Sequence, residues 1–383
     1  MIKTFSLTAL LLCSLLLSAC SIDLSQSTLP TPLSTGSVES APSSTPGAQA
    51  TLSSPTQNAP GNPQISQLPV TWADLNLTGK LIYVAGVAKD NDLFLDVQSL
   101  DLTTGTVTTT FQAPSQGWVD SVAASPDGKE LVLSYAPPAS DPRGGQETLY
   151  IMPADGSQLA QPLFTPEDPK DQNYEPVWSP DGKYVYFAHF NYMAANSLAI
   201  MRVAFPGGTP EKILDNSYWP RVSPDSSRLV YVTADQQTGV NHLFVAAADG
   251  TQPHQLPLSG PYIPSVIDVP MLSPDGQSIL FSSPDPSQSS ILKWLDTILV
   301  VPAMPAADGS IPSDWFSVPV SGGVLKQLTH IHSLALYGNY SPDSRFIASF
   351  TSNGIFVMNP DGTGVTVVVK DTGGAPGSVN WLP

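Results

Sequence analysis

The chain has 383 residues, with 32 Asp and Glu against 15 Lys and Arg, and a formal charge of −17 at pH 7. Such an acidic surface disfavours nucleic acid and anionic lipid headgroups as partners, because phosphate binding needs clustered basic residues. Its two cysteines, Cys13 and Cys20, lie near the amino terminus, which excludes a disulfide framework, a CxxC metal site or a thiol nucleophile in the body of the chain.

Residues 1–19 read as a secretory signal: Lys3 is the only charge, the run Phe5 to Leu17 is largely apolar, and small residues follow. That run is short for a permanent membrane span. Its ending, Leu17-Ser18-Ala19-Cys20, resembles the bacterial lipobox, which implies a lipid anchor on Cys20; an ordinary cleaved signal with an incidental cysteine is the alternative. The segment 20–68 then changes composition. Ser21 to Leu68 holds 11 Ser, 6 Thr and 7 Pro and no Lys or Arg, so it is expected to form a disordered tether. Its root-mean-square reach would be about 40 Å.

From residue 69 to 383 the sequence is repetitive. Ser-Pro-Asp-Gly or Ser-Pro-Asp-Ser occurs five times, at Ser125–Gly128, Ser179–Gly182, Ser223–Ser226, Ser273–Gly276 and Ser341–Ser344. Pro presets φ at the second turn position, Asp bonds the nearby backbone, and Gly supplies the positive φ of a tight hairpin. Ser226 and Ser344 lack that freedom, so their two hairpins are expected to be built differently. Each phrase precedes an apolar run, such as Glu130–Tyr135, Tyr184–Ala188 or Arg228–Val232, whose unbroken character predicts strands buried on both faces. A second strand follows and ends in its own turn, Asp155-Gly156, Asp249-Gly250 or Asp361-Gly362, and then a short third strand. With the strand leading into the next phrase, each unit makes a four-stranded antiparallel blade.

The chain stops at Val379-Asn380-Trp381-Leu382-Pro383, which matches Pro176–Pro180 and lacks only the Gly-Lys and apolar strand that should follow. Those stand at the other end, as Gly79-Lys80-Leu-Ile-Tyr-Val84. The last strand is therefore predicted to complete the first blade and close a ring of six, with seven as the alternative should the long fifth unit hide another. The fold class is an all-β, six-bladed β-propeller.

Trp178-Ser-Pro-Asp-Gly-Lys183 followed by Tyr-Val-Tyr-Phe resembles the WD40-like PD40 repeat of TolB-type propellers, over about residues 79–383. The resemblance implies the fold; the same repeat serves binding proteins, peptidases and lyases alike. Where TolB has an α/β domain ahead of its propeller, this chain has the lipobox and the tether.

In such a strand order the phrase turns and Asp-Gly turns share one face. The other face receives longer loops carrying Trp118, Tyr174, Glu175, Tyr218, Trp219, Arg221, Tyr262 and Tyr337, with Asp120 and Asp268 among them. Aromatics and a few charges around a channel mouth make a candidate binding surface, and wedging between blades is the plainer account. Residues 284–312 are an insertion, in which Ile291, Leu292, Trp294, Leu295, Ile298 and Leu299 follow the period of a short amphipathic helix.

Catalytic signatures are sparse. No G-x-S-x-G or H-E-x-x-H motif is present. His330-Ile331-His332 and His189 deserve notice because oligogalacturonate lyases look like TolB-type propellers with a histidine-bound metal. No carboxylate or glutamine ligand can be matched to these histidines from sequence, so neither metal nor cofactor is assigned. The reading is a lipoprotein of the bacterial envelope, facing the periplasm or exterior. It binds the membrane through Cys20 and takes a protein, peptide or glycan without catalysis. A metal-dependent polysaccharide lyase, a glycan hydrolase, or a structural part of an envelope assembly are the alternatives.

Overall fold

The computed structural model describes residues 64–89, 92–138, 145–195, 197–235, 237–285, 312–373 and 377–383. The signal at 1–19, Cys20, most of the tether and the amphipathic segment at 291–299 lie outside the described residues.

The described residues form six antiparallel blades. From the centre outward, blade two runs Trp118–Ala124, Glu130–Ala136, Thr148–Pro153 and Gln161–Pro162. Blade three runs Asp171–Trp178, Tyr184–Asn191, Ala199–Ala204 and Glu211–Asp215, and blade four Ser217–Val222, Arg228–Ala234, Asn241–Ala247 and His254–Gln255. Blade five runs Asp268–Leu272, Ser278–Pro284, Ser313–Pro319 and Lys326–Gln327, and blade six Tyr337–Tyr340, Ile347–Thr351, Gly354–Met358 and Thr366–Val369. The second strand of each blade is buried on both faces, as in Leu131, Val132 and Leu133 or Leu229, Val230 and Val232, because a neighbouring blade covers each side.

Blade one closes the ring. Its inner strand is the carboxy-terminal Val379–Leu382, paired with Lys80–Lys89, and Asp92–Asp101 and Thr106–Gln112 follow outward. The register places Lys80 opposite Leu382 and Tyr83 opposite Val379. Gly79 makes the junction possible: its φ is +84°, and a Cβ there would stand 2.0 Å from the Leu382 carbonyl oxygen. A fifth strand, Ile65–Gln67, lies on the outer edge of this blade. It falls within the segment expected to be tether. Apolar content was a poor guide there, because the strand is held by backbone pairing with Thr106–Thr108 and by the Gln67 amide donating to the Thr104 carbonyl.

The five phrase turns share one construction. In the first, Ser125 is buried; its Oγ donates to Asp127 Oδ1 at 2.7 Å and accepts from Lys129 N at 3.1 Å and Glu130 N at 3.0 Å. The Gly128 N–H closes the turn on the Ser125 carbonyl at 2.8 Å. The hairpins with serine in the fourth place are not built differently, contrary to expectation. Ser226 and Ser344 take φ of +59° and +63° and close on Ser223 and Ser341 at 2.8 and 2.9 Å. The Ser–Asp lock fixes the turn strongly enough to hold a non-glycine residue in the left-handed region, at a cost of about 1–2 kcal/mol.

Candidate functional site

Inner strands of a propeller line its central channel, and four of them here carry a bulge where they approach the loop face. The pairing slips between Val119 and Ser121 in blade two, and at the corresponding places in blades three, four and five. In three blades the bulged residue has positive φ: Glu175 at +55°, Trp219 at +54° and Val269 at +47°. Each stands four residues before the Ser of its phrase, and each precedes a proline: Pro176, Pro220 and Pro270. Proline lacks the N–H that an unbroken ladder would use, so it suits a bulge. Non-glycine residues held there cost about 1–3 kcal/mol each, a strain common at functional sites.

The bulges bring charge into a low-dielectric setting. Glu175 is buried and accepts the Trp219 backbone N–H at 3.2 Å, while the Trp219 indole N–H donates to Asp268 Oδ1 at 3.3 Å. The Arg221 guanidinium lies 5.7 Å from the centre of the Trp219 ring, and Tyr337 meets that ring edge-on at 5.7 Å. Burial drives the Glu175 carboxyl well above the usual carboxylate range, Arg221 opposes this, and Asp120 and Asp268 add to it. Asp120 is pushed up to about 6 by burial. Glu147, at the entry to the third strand of blade two, is pushed up to about 8 by burial and then by the charge of Asp120, while the Ser134 hydroxyl donates to it and opposes the shift. Tyr174 and Tyr218 are raised by burial and by these same carboxylates. Perturbed carboxylates gathered around Glu175 and its partner Arg221 mark a candidate site.

The structure thus brings together Tyr174, Glu175, Tyr218, Trp219, Arg221 and Tyr337 of the expected surface, with Asp120 and Asp268. It does not present them all to a ligand. Tyr218 and Trp219 are each 2 % exposed, because the bulge at Trp219 turns these rings into the core between blades. Trp118, at the start of its inner strand, is 46 % exposed and offers an aromatic at the mouth. Tyr262 packs against Phe316 in blade five, its hydroxyl donating to the Pro284 carbonyl at 3.4 Å. Glu147 was missed from sequence, since nothing local marks it.

A second group of side chains lies at the loop end of blade five. Asp285, Asp314 and His332 place potential ligand atoms within 4.8 Å of one another. His330 Nδ1 is 3.5 Å from Asp285 Oδ2, and the Gln327 amide donates to that same oxygen at 2.8 Å. These are the carboxylate and glutamine partners that sequence could not match to His330 and His332. His189 is not among them; in blade three its Nδ1 is 3.0 Å from Asn173 Oδ1 and its Nε2 3.7 Å from Asp171. A grouping of all three histidines is therefore not formed.

Fold and site define a six-bladed β-propeller with a charged channel mouth. Its fold is that of TolB-type propellers: it matches TolB from Acinetobacter baumannii with a TM-score of 0.55 at 15% identity, over 79% of this chain and 66% of that one. The chain thus spans just under two thirds of that TolB's length. A putative TolB from Agrobacterium tumefaciens aligns over 80% of this chain and 99% of its own, at 19% identity and a TM-score of 0.49. An oligogalacturonate lyase in complex with manganese aligns over 76% and 74%, at 15% identity and 0.47. No protein-family model matches the sequence, and no curated protein matches it.

Proposed function

We propose that the chain is a lipid-anchored, extracytoplasmic binding or scaffold propeller, tethered through Cys20 and engaging a protein, peptide or glycan at its channel mouth. One observation carries this reading: Asp120, Glu147, Glu175, Asp268 and Arg221 converge from four blades, all but Glu147 at or beside the inner-strand bulges, where Glu175, Trp219 and Val269 are held at positive φ at a cost in backbone strain. An excess of carboxylates over guanidinium suits a ligand that presents cationic or hydrogen-bond-donating groups, with Trp118 supplying an apolar contact beside them.

The test is cross-linking of the full lipidated chain in intact cells. A partner captured by the wild type is expected to be lost in Trp118→Ala and Asp120→Asn and retained in Lys183→Ala, on the opposite face. Capture that depends on Lys183 and ignores Trp118 and Asp120 would place binding on the other side and end the reading. For the anchor, Cys20→Ser should move the protein from the membrane to the soluble fraction; persistent membrane retention would refute lipidation.

A further inference from the structure

Asp314 opens the third strand of blade five and is fully buried. Its Oδ1 is saturated: it accepts from Thr329 Oγ1 at 2.9 Å, Ile331 N at 2.6 Å and His332 N at 3.4 Å. Those bonds fix the carboxylate plane and aim Oδ2 at the imidazole of His332. Oδ2 accepts no hydrogen bond, although His332 Nδ1 is only 2.9 Å from it. An oxygen buried this deeply is costly to leave without a donor or a cation. Asp285 Oδ2, at the end of the neighbouring strand, is 3.8 Å from the same nitrogen.

Two atoms in close approach without hydrogen-bond alignment are placed as two ligands of one ion would be. Bonds of about 2.1 Å give ligand–ligand edges of about 3.0 Å in an octahedral and about 3.4 Å in a tetrahedral shell. The contacts of 2.9 and 3.8 Å bracket those edges. We infer that Asp285, Asp314 and His332 bind one divalent metal ion, with His330 as a further ligand within reach. Two carboxylate oxygens and one or two imidazole nitrogens suit Zn²⁺ or Mn²⁺; an all-oxygen shell would be expected for Ca²⁺ or Mg²⁺. The competing account is a protonated His332 held between two carboxylates, with no ion.

The two are separated by stripping the full-length protein with EDTA and titrating it with ZnCl2 by calorimetry and with MnCl2 by electron paramagnetic resonance. One ion per chain is expected. His332→Ala and Asp285→Asn should each weaken binding at least about 100-fold, more than is usual for loss of an outer-shell partner. His242→Ala and His254→Ala, on blade four, should leave it unchanged. The His332 side chain is 40% exposed and tolerates replacement, whereas Asp314 is fully buried and its replacement endangers folding. A readout on the wild type guards against misfolded variants: bound Mn²⁺ should show hyperfine coupling to an imidazole nitrogen. Absence of stoichiometric binding, equal binding by folded His332→Ala, or no nitrogen coupling would each overturn the inference.

Discussion

The ring closure offers the sharpest test of the fold argument, through Trp381. This residue is 6 % exposed, its indole N–H donates to the Thr78 carbonyl at 2.9 Å, and its ring stacks on Phe346 with centroids 6.4 Å apart. Beside it Asn380 bridges to blade two, accepting from Ala124 N at 3.3 Å and donating to the Val122 carbonyl at 2.7 Å. Trp381→Ala removes a buried aromatic and leaves the Thr78 carbonyl without its donor, a change worth about 3–5 kcal/mol. A folded domain of roughly 300 residues unfolds with an entropy near 0.6 kcal/mol per degree, so a 4 kcal/mol loss lowers Tm by about 6 °C. Trp381→Phe keeps the stack but loses the N–H bond, and should cost about 1 kcal/mol, or ~2 °C. Trp118→Ala, at an exposed tryptophan, should change Tm by less than about 1 °C. Deleting residues 379–383 uncovers the apolar strand Lys80–Lys89 along its inner edge and should cause aggregation as well as a lower Tm. Calorimetric melting and light scattering on the full chain read both effects. A Trp381→Ala protein melting within a degree of wild type, or a truncated protein that stays monomeric and equally stable, would show that the carboxy-terminal strand does not hold the ring.

Two further predictions concern charge and strain. Glu147 and Asp120 are raised in the folded state, to about 8 and about 6, so folding takes up protons; the stability they contribute is complete below about pH 4 and is lost as pH rises towards 8. Glu147→Gln should flatten that decline in denaturant titrations across the same range, and an unchanged slope would count against the burial of this carboxylate. The turn aspartates act in the opposite sense: side-chain bonds, from Lys129 to Asp127, from Lys183 to Asp181 and from Ser223 to Asp225, hold their carboxyls down to about 2. Their contribution is present above about pH 4 and fades as pH falls through about 2. Ser344→Gly should relieve the left-handed strain and stabilise by about 0.5–1 kcal/mol in thermal melts. Ser226→Gly should gain less, because the Ser226 hydroxyl also accepts the Asp181 N–H of blade three at 3.1 Å; equal gains at both positions would refute this distinction.

What was legible in the sequence follows from how far apart the interacting atoms are along the chain. The phrase turn is written within six residues, since Ser125 bonds Asp127, Lys129 and Glu130. Ring closure spans about 300 residues, yet it could be read because a truncated repeat must find its complement. The same locality misled at Ser226 and Ser344, where residue preference pointed against a geometry that the conserved hydrogen-bond lock in every turn overrides. At the channel mouth the governing feature is a bulge, and a bulge depends on how two strands register. The residue types alone could not say that Trp219 would be turned inward while Trp118 stays exposed.

A local sign of the bulges did exist. Glu175-Pro176, Trp219-Pro220 and Val269-Pro270 recur at one distance from the phrase, and a proline in an inner strand is hard to accommodate unless the ladder is already broken. Read that way, the repeat marks two things in blades three, four and five: a shared turn on one face, and a variable residue on a strained bulge towards the other. The turn is the same in blades two to six because it serves the fold. The bulged residue is glutamate, tryptophan or valine from blade to blade, so a regular ring presents an irregular mouth. The Asp285–Asp314–His332 group had no comparable sign: 28 positions separate the two aspartates in sequence, and only pairing of Ser283 with Asp314 brings their strand ends together. Sites assembled across an insertion become visible only when the strands flanking it are set in register.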